Sequence, residues 1–182
     1  MKIYDITVPI SERVPVYEGD PRVEIKVTAA LAKGDPANVT QLCFGAHTGT
    51  HVDAPNHFID GTKKVHELDL EKLIGFARVV EIDESVTAIE PQHVEGLGQF
   101  ERILFKTRNS AFWSEQEKGF RKDFTFITPE AARVLADAGI KLVGIDYLSV
   151  EKFGSEDFAT HRILLEQEIV IIEGLDLRAV SA

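Results

Sequence analysis

The sequence predicts a single α/β domain with a mixed β-sheet and a few short helices. Two observations support this class: segments with strand character outnumber helical ones, and helices separate the strands mainly in the second half. The 182 residues contain no repeat, low-complexity tract or change in composition, so we expect one domain over residues 1–182. A chain of this length is large enough to bury a sizeable core.

In the first half, runs rich in apolar and β-branched residues predict strands. These strands cover residues 2–8, 23–29 and 76–82. A short helix is expected over residues 68–74, because Gly75 follows as a C-terminal cap. Residues 91–95 predict one helical turn, which Gly96 and Gly98 would end.

The second half alternates strands with helices. The clearest helix follows Thr128, a good N-cap, begins with Pro129 and ends before Gly139. Its predicted inward stripe consists of Ala131, Val134, Leu135 and Ala138. A second helix is predicted over residues 158–165, and strands over residues 102–106, 140–146 and 168–173. Residues 107–124 form a long irregular segment, and loops of that length are often functional.

Charge and hydropathy exclude several classes of partner. Lysine and arginine number 20 against 30 acidic residues, and the formal net charge is −10. Nucleic acids and anionic membranes bind basic surfaces, so neither is an expected partner. No apolar run approaches the roughly 18 residues of a membrane span, and none has signal-peptide character, which leads us to expect a cytoplasmic protein. A single cysteine, Cys43, allows no internal disulfide.

Residues 41–58, QLCFGAHTGTHVDAPNHF, contain three of the six histidines. Glycine, proline and β-branched residues disfavour a helix in this stretch. On a strand, the even offsets between His47, His51 and Asp53 place all three on one face, with Gly49 leaving room for an ion. Two imidazoles and a carboxylate are typical first ligands of a transition metal. The alternative is a chance cluster of polar groups on a surface loop.

Two further candidates lie near the C-terminus. His161 is placed at the start of a predicted helix, and Glu173 ends an apolar strand. A carboxylate in that position is costly to bury unless it is paired or bound to a metal. A local hydrogen bond for the histidine and an exposed strand end for the glutamate are equally consistent with the spacing. Both alternatives remain open from the residues alone.

The run HTGTHVDAPNHF resembles the signature His-x-Gly-Thr-His-x-Asp-x-Pro-x-His-Phe of the cyclase-like metal-dependent hydrolases, which include bacterial kynurenine formamidases and isatin hydrolases. Every fixed position of that pattern is met between His47 and Phe58. The similarity extends to residues 17–20, 144–146, His161 and residues 173–175. The resemblance implies a swivelling β/β/α fold, usually assembled as a homodimer or homotetramer.

The resemblance also implies a dinuclear metal centre. His47, His51 and Asp53 would hold the first ion, and Asp53 would bridge to a second ion completed by His161 and Glu173. Imidazole and carboxylate ligands suit zinc or manganese, and the sequence does not distinguish the two. A structural zinc site is disfavoured, because such sites are generally rich in cysteine and this ligand set has none.

The implied activity is hydrolysis of a small aryl formamide by metal-activated water. His57 would transfer protons, and Tyr17 would pack on the substrate ring, at a position where kynurenine formamidases usually have tryptophan. This departure keeps hydrolysis of a cyclic amide, as in isatin hydrolases, or of a lactone as an alternative. A binding protein without turnover is a third possibility, but it would require the metal ligands and not His57.

Overall fold

The structure, a computed structural model, describes residues 2–182. Its strands are β1 (Glu24–Ala29), β2 (Val39–Cys43), β3 (His51–Asp53), β4 (Arg78–Glu81), β5 (Ala88–Ile89), β6 (Arg102–Lys106), β7 (Phe126–Ile127), β8 (Leu142–Ile145) and β9 (Val170–Glu173). Its α-helices are α1 (Leu70–Leu73), α2 (Pro91–Val94), α3 (Pro129–Asp137) and α4 (Ala159–Glu166). Short 3-10 segments occur at Leu31–Lys33, Pro55–His57, Val65–Glu67, Leu97–Gln99 and Arg108–Lys118.

A mixed sheet with the strand order β3–β9–β8–β6–β4 forms the centre of the molecule. Strands β4, β6, β8 and β9 are parallel, whereas β3 is an antiparallel edge strand beside β9. Helices α3 and α4 pack on one face, over the buried side chains Ile103, Phe105, Val143, Ile145 and Ile171. Leu68 and Leu73 cover the opposite face. The predicted α/β class with a mixed sheet and a few short helices is therefore confirmed.

Helix α3 begins as predicted, because the Thr128 hydroxyl accepts a hydrogen bond from the Ala131 N–H at 3.2 Å. The predicted inward stripe is wrong at one position. Ala138 is exposed, since the helix ends at Asp137, and Ala132 is buried instead. The long segment after β6 is also more regular than predicted, because much of it forms 3-10 turns.

The strand predicted over residues 2–8 is wrong, because only Thr7 makes an isolated β-bridge. The backbone N–H and the hydroxyl of Thr7 both donate to Asp5 Oδ1, at 2.9 and 2.6 Å. Such a local side-chain bond competes with a β-ladder for the same donor. The segment nevertheless packs on the domain, since Val8 is buried and its N–H donates to Thr50 Oγ1 at 2.8 Å.

Strands β1 and β2 form a two-stranded ribbon separate from the central sheet. Ile25 lies opposite Leu42 and Val27 lies opposite Thr40, so these side chains share one face of the ribbon. Every residue of both strands is exposed except Ala29, which is half-buried. Among residues 2–182, no helix is both long enough and apolar enough to cross a membrane.

Candidate metal centre

The pairing of β3 with β9 places three of the predicted site residues together. His51 lies directly opposite Glu173, and side chains in opposite positions on antiparallel strands are neighbours on one face. Asp53 shares that face because it follows His51 by two residues. His51 Nε2 lies 3.5 Å from Asp53 Oδ1 and 3.6 Å from Glu173 Oε2. Strand register alone therefore brings together three of the five predicted metal ligands.

His47 also reaches the cluster, but the strand geometry predicted for it is wrong. Strand β3 begins only at His51, and Gly49 has a φ of +63°, which interrupts the extended chain. A Cβ atom on Gly49 would lie 2.7 Å from Ile10 Cδ1, so the missing side chain permits a tight turn against Ile10. It does not leave space for an ion. The turn brings His47 Nδ1 to 2.8 Å from Asp53 Oδ1.

Helix α4 brings His161 to the other side of Asp53. His161 Nε2 lies 3.6 Å from Asp53 Oδ2 and 3.2 Å from Glu173 Oε1. Asp53 therefore has histidine rings facing both of its oxygens. Two groups of potential ligands share this carboxylate, and in each group the ligand atoms lie within 4.8 Å of one another: His47, His51 and Asp53, and Asp53, His161 and Glu173.

Several buried polar atoms of this cluster have no hydrogen-bond partner. They include both oxygens of Asp53, together with His47 Nδ1, His51 Nε2 and His161 Nδ1. Asp53 is 0% exposed, and the 2.8 Å approach of His47 lacks the direction of a hydrogen bond. Buried carboxylates without donors are costly and rare. Cations between Asp53, His47 Nδ1 and His51 Nε2 would satisfy these atoms, whereas His161 Nδ1 lies toward Glu151; the residues present therefore fit a metal centre.

The electrostatics of the cluster favour positive charge. Burial by itself would raise the pKa of Asp53, but the surrounding histidines outweigh it and hold that pKa well below its usual range. Burial would lower the pKa of His51, yet the Asp53 and Glu173 carboxylates raise it to about 9. The same balance raises the pKa of His161 well above its ordinary value. Protons and a divalent cation would compete for these sites, so metal binding would release protons.

Groups around the cluster orient its histidine rings. His51 Nδ1 lies 3.0 Å from the carbonyl oxygen of Gly49, so it can donate there while Nε2 faces the carboxylates. Buried Glu151 Oε2 accepts the backbone N–H of His161 at 3.2 Å and lies 3.5 Å from its Nδ1. The sequence-based prediction omitted Glu151. The signal used for Glu173, a carboxylate after an apolar run, is weaker for Glu151, because Asp146 and Ser149 interrupt the residues before it.

His57 lies beside the cluster, at the end of the 3-10 turn after Asp53. Its ring stacks on that of His47, with centroids 3.8 Å apart and planes inclined by 24°. The ring is accessible to solvent, yet partial burial, reinforced by neighbouring histidines, lowers its pKa to about 4. His57 is therefore a neutral imidazole at pH 7 and can accept a proton.

A cavity of about 240 Å³ opens onto the cluster. Its wall includes Tyr17, His57, Phe58, Phe158 and His161. The Tyr17 ring packs against Phe120 and Phe153, with centroid distances of 4.9 and 5.9 Å. Phe120 comes from the long segment after β6, which the sequence predicted to be irregular and of a length typical of functional loops. The cavity thus joins a polar cluster to an aromatic wall.

The cluster has a second opening, away from Tyr17. This opening is lined by His47, His51 and His57 and by the apolar side chains of Ala46, Val52, Ala54 and Val65. The side chain of His47 is 34% exposed, whereas those of His51 and His161 are 7% and 4% exposed. His47 is therefore the most accessible of these three histidines.

Comparisons with known proteins identify a family model and several relatives that resemble this chain. Residues 4–152 match the family model described as putative cyclase. A kynurenine formamidase of Salinibacter ruber is 34% identical over 180 residues, which cover 97% of this chain and 84% of that protein. A solved structure described as a potential metal-dependent hydrolase with cyclase activity has 33% identity and a TM-score of 0.81, covering 99% of this chain and 84% of its own.

An isatin hydrolase A from Labrenzia aggregata, bound to benzyl benzoate, has a TM-score of 0.80 at 21% identity. That alignment covers 96% of this chain and 80% of the isatin hydrolase. At this level of identity the similarity is evidence for a common fold and for nothing further. The solved structures thus confirm the α/β fold type that the sequence motif implied.

Proposed function

The chain belongs to the putative cyclase family, and from this premise we propose that it is a metal-dependent hydrolase that cleaves the amide bond of a small aryl formamide. The kynurenine formamidase relatives, at 32–34% identity, support the substrate class. The single observation that carries the proposal is the position of Asp53. It lies between two groups of potential ligands and beside a cavity that combines His57 with an aromatic wall.

We assign one divalent ion to His47, His51 and Asp53, and a second to Asp53, His161 and Glu173. Zinc and manganese both suit imidazole and carboxylate ligands. When bound, such ions supply Lewis acidity, which lowers the pKa of water from about 15.7 to about 7 and polarises a carbonyl group. Glu151 accepts the backbone N–H of His161 and lies 3.5 Å from its Nδ1, so it would help to orient this ligand.

The aromatic wall would bind the ring of the substrate. Tyr17, Phe58 and Phe158 line the cavity, and the ring of Phe120 packs against that of Tyr17. A flat ring between these side chains excludes water and directs a formamide substituent toward Asp53. Aromatic pairs of this kind contribute about 0.5–1.5 kcal/mol each beyond the area they bury.

His57 is the proposed proton-transfer residue. A neutral imidazole beside His47 can accept a proton from water as its oxygen attacks the formyl carbon, and can return it to the nitrogen as the C–N bond breaks. One amide and one water thus give formate and an arylamine. A positioned acid–base group of this type typically contributes a factor of about 10²–10⁴.

Hydrolysis of a cyclic amide or a lactone is the second candidate, and the shared fold with an isatin hydrolase favours it. A cavity of about 240 Å³ is compact, as a fused bicyclic substrate requires. A metal-dependent binding protein without turnover is a third reading. A binding protein of this kind would not need His57, although the ring of His57 lies beside the cluster.

The proposal includes a homodimer or homotetramer and a small-molecule substrate. The net charge of −10 supports the absence of nucleic-acid and membrane partners. A cytoplasmic location is part of the same proposal and rests on the sequence alone.

Metal analysis of the purified protein, followed by an activity screen, tests the proposal. The protein is loaded with Zn²⁺ or Mn²⁺ and assayed with aryl formamides, isatin-type lactams and aryl lactones. We expect two ions per chain and preferred hydrolysis of a formamide. Turnover of lactams or lactones alone would establish the second candidate. Metal retention with no hydrolysis under any first-row divalent ion would leave the binding protein.

A further inference from the structure

The three tyrosines of the chain have different surroundings. Tyr4 is 38% exposed, and Nζ of Lys2 lies 4.5 Å from its ring centroid. Tyr147 is completely buried, and its hydroxyl oxygen accepts a hydrogen bond from the backbone N–H of Arg121 at 2.9 Å. Of the three, Tyr17 is the one that lines the cavity at the metal centre. Its ring and its hydroxyl group are therefore both available to a ligand there.

Two phenylalanines hold the Tyr17 ring in place. The ring centroids of Phe120 and Phe153 lie 4.9 and 5.9 Å from that of Tyr17, with planes inclined by 49° and 47°. Both phenylalanines pack against the buried cluster that contains Trp113 and Tyr147, so the support extends into the core. A side chain fixed in this way loses little conformational freedom when a ligand binds. The hydroxyl at the edge of the ring is therefore preorganised.

The effect of nearby charges on Tyr17 indicates where its hydroxyl points. Partial burial raises the pKa of Tyr17, and the carboxylates of Glu173 and Glu151 raise that pKa further. They act more strongly than Asp20 and Glu18, which are neighbours of Tyr17 in the chain. Because Coulomb interactions weaken with distance, this order indicates a phenol oxygen directed toward the metal centre. At pH 7 the group is a neutral hydroxyl that can donate one hydrogen bond.

The other polar side chains of the cavity already have partners. Ser149, Glu151, His161 and Glu173 form hydrogen bonds with one another or with backbone N–H groups. In the part of the chain that the structure describes, none of these bonds includes the Tyr17 hydroxyl. This donor is therefore free to bind a group that enters the cavity.

We propose that the Tyr17 hydroxyl donates a hydrogen bond to the formyl oxygen of the substrate while water attacks the formyl carbon. Negative charge develops on that oxygen in the transition state, and a preorganised donor stabilises the charge more than it stabilises the ground state. Tyr17 is then a catalytic residue in addition to packing on the substrate ring. This role rests on the proposed function, because it needs an amide substrate at the metal centre.

Stacking and hydrogen bonding by Tyr17 are compatible with one substrate. In an offset stack the substrate ring covers part of the Tyr17 ring, and a ring substituent extends past the edge that carries the hydroxyl. That edge is directed toward the metal centre, so a formamide attached directly to the ring reaches the hydroxyl, whereas a distant amide does not. Kynurenine formamidases usually have tryptophan at this position, so the resemblance does not imply a hydroxyl here.

The test uses the metal-loaded full chain and the variant Tyr17→Phe, which removes one oxygen atom and keeps the ring. Tyr4→Phe is the matched control, because Tyr4 is exposed and lies outside the cavity. With formanilide as substrate, kcat of Tyr17→Phe should fall roughly 10²-fold, as expected for one lost oxyanion donor, while KM changes by less than about threefold. The control should keep the wild-type kcat.

Two further measurements separate the hydroxyl from other roles of Tyr17. Tyr17→Leu removes the ring as well, so a loss of kcat in this variant with wild-type kcat in Tyr17→Phe would show packing alone and overturn the proposal. Metal analysis should give wild-type content for Tyr17→Phe. Metal loss in that variant would also overturn the proposal, because it would show that the hydroxyl orients a ligand such as Glu173.

Binding of phenylphosphonate tests the hydroxyl without turnover. This probe combines an aromatic ring with tetrahedral anionic oxygens, which resemble the oxygen that gains charge during the attack of water. Calorimetry should show binding to Tyr17→Phe that is roughly tenfold weaker than binding to the wild type and to Tyr4→Phe. Equal affinities would overturn the donor role. If the wild type hydrolyses no formamide but its affinity for the probe depends on the hydroxyl, the proposed function fails and the donor role of Tyr17 stands.

Discussion

Asp53 and Asp146 are the two aspartates that are completely buried in the described residues, and their surroundings are opposite. Asp146 accepts four hydrogen bonds, from the N–H and the hydroxyl of Thr107 and of Ser110, at 2.6–3.0 Å. Asp53 accepts none, although three histidine rings face it. One carboxyl group is satisfied by neutral donors, and the other is left for a cation.

The pKa values separate in the same way. Burial raises the pKa of Asp146 to about 6, in spite of its four donors. The pKa of Asp53 is well below its usual range, because histidines outweigh the effect of burial. Burial alone therefore does not identify a functional carboxylate. The type of group around it is more informative: Asp146 binds the start of the segment that carries Phe120, while Asp53 lies between two groups of candidate metal ligands.

The largest expected effect is that of Asp53→Asn. An amide cannot bridge two cations as a carboxylate does, so we expect metal content to fall by at least one ion per chain. Turnover should fall by roughly 10³-fold or more, since the ions supply several kcal/mol of charge stabilisation. Elemental analysis and kcat measure both effects. Exposed Asp60 provides the control Asp60→Asn, and a variant of Asp53 that keeps two ions would contradict the bridging role.

His57→Ala separates catalysis from metal binding within the Asp53 cluster. Turnover should fall about 10²- to 10⁴-fold while the metal content stays unchanged, because His57 is assigned to proton transfer and not to ligation. The matched control is His66→Ala, which removes an exposed histidine. Metal loss in the His57 variant, or turnover equal to that of the control, would refute the assignment.

Asp146→Asn should have the opposite effect to Asp53→Asn. We expect its metal content to be retained and its free energy of unfolding to be reduced. The new amide N–H group would face the donors of Thr107 and Ser110, and a buried donor without an acceptor costs about 1–3 kcal/mol. Urea denaturation measures this loss. Asp83→Asn is the control, because Asp83 accepts the same pair of bonds from Ser85 but is exposed. Equal losses in the two variants would show that burial of Asp146 is irrelevant.

The last effect is the pH dependence of stability from Asp146, which also lies within a few kcal/mol. Its pKa is about 6 when folded and close to the ordinary 3.8 when unfolded, so between these values the folded state binds more protons. Its stabilising contribution is complete below pH 3.8 and is lost as the pH rises through 6. The difference in unfolding free energy between wild type and Asp146→Asn should therefore shrink by roughly 2–3 kcal/mol from pH 4 to pH 7. A difference that grows with pH would show that the hydrogen bonds dominate.

Local rules predicted most elements of the fold. The N-cap Thr128, the helical turn at Pro91 and the strand Arg102–Lys106 depend on neighbouring residues and were found as expected. The strand at residues 2–8 failed because Asp5 captures the donor of Thr7, a side-chain choice that apolar periodicity does not register.

The sequence predicted which residues form the candidate site better than it predicted their geometry. His47, His51 and Asp53 are close in the chain, and the motif that contains them is specific. The turn at Gly49 escaped prediction, because a positive φ there depends on packing against Ile10.

The sequence by itself determined the fold class, the apolar periodicity of its helices and strands, and the residue types of the cluster, because these depend on short-range order along the chain. Only the tertiary structure decided that Glu173 lies opposite His51 and that Glu151 lies beside His161. Strand order fixes the first relation, between residues more than a hundred positions apart, and helix docking fixes the second, between residues ten positions apart. Their geometry follows from how the whole core packs and from no single segment of the chain.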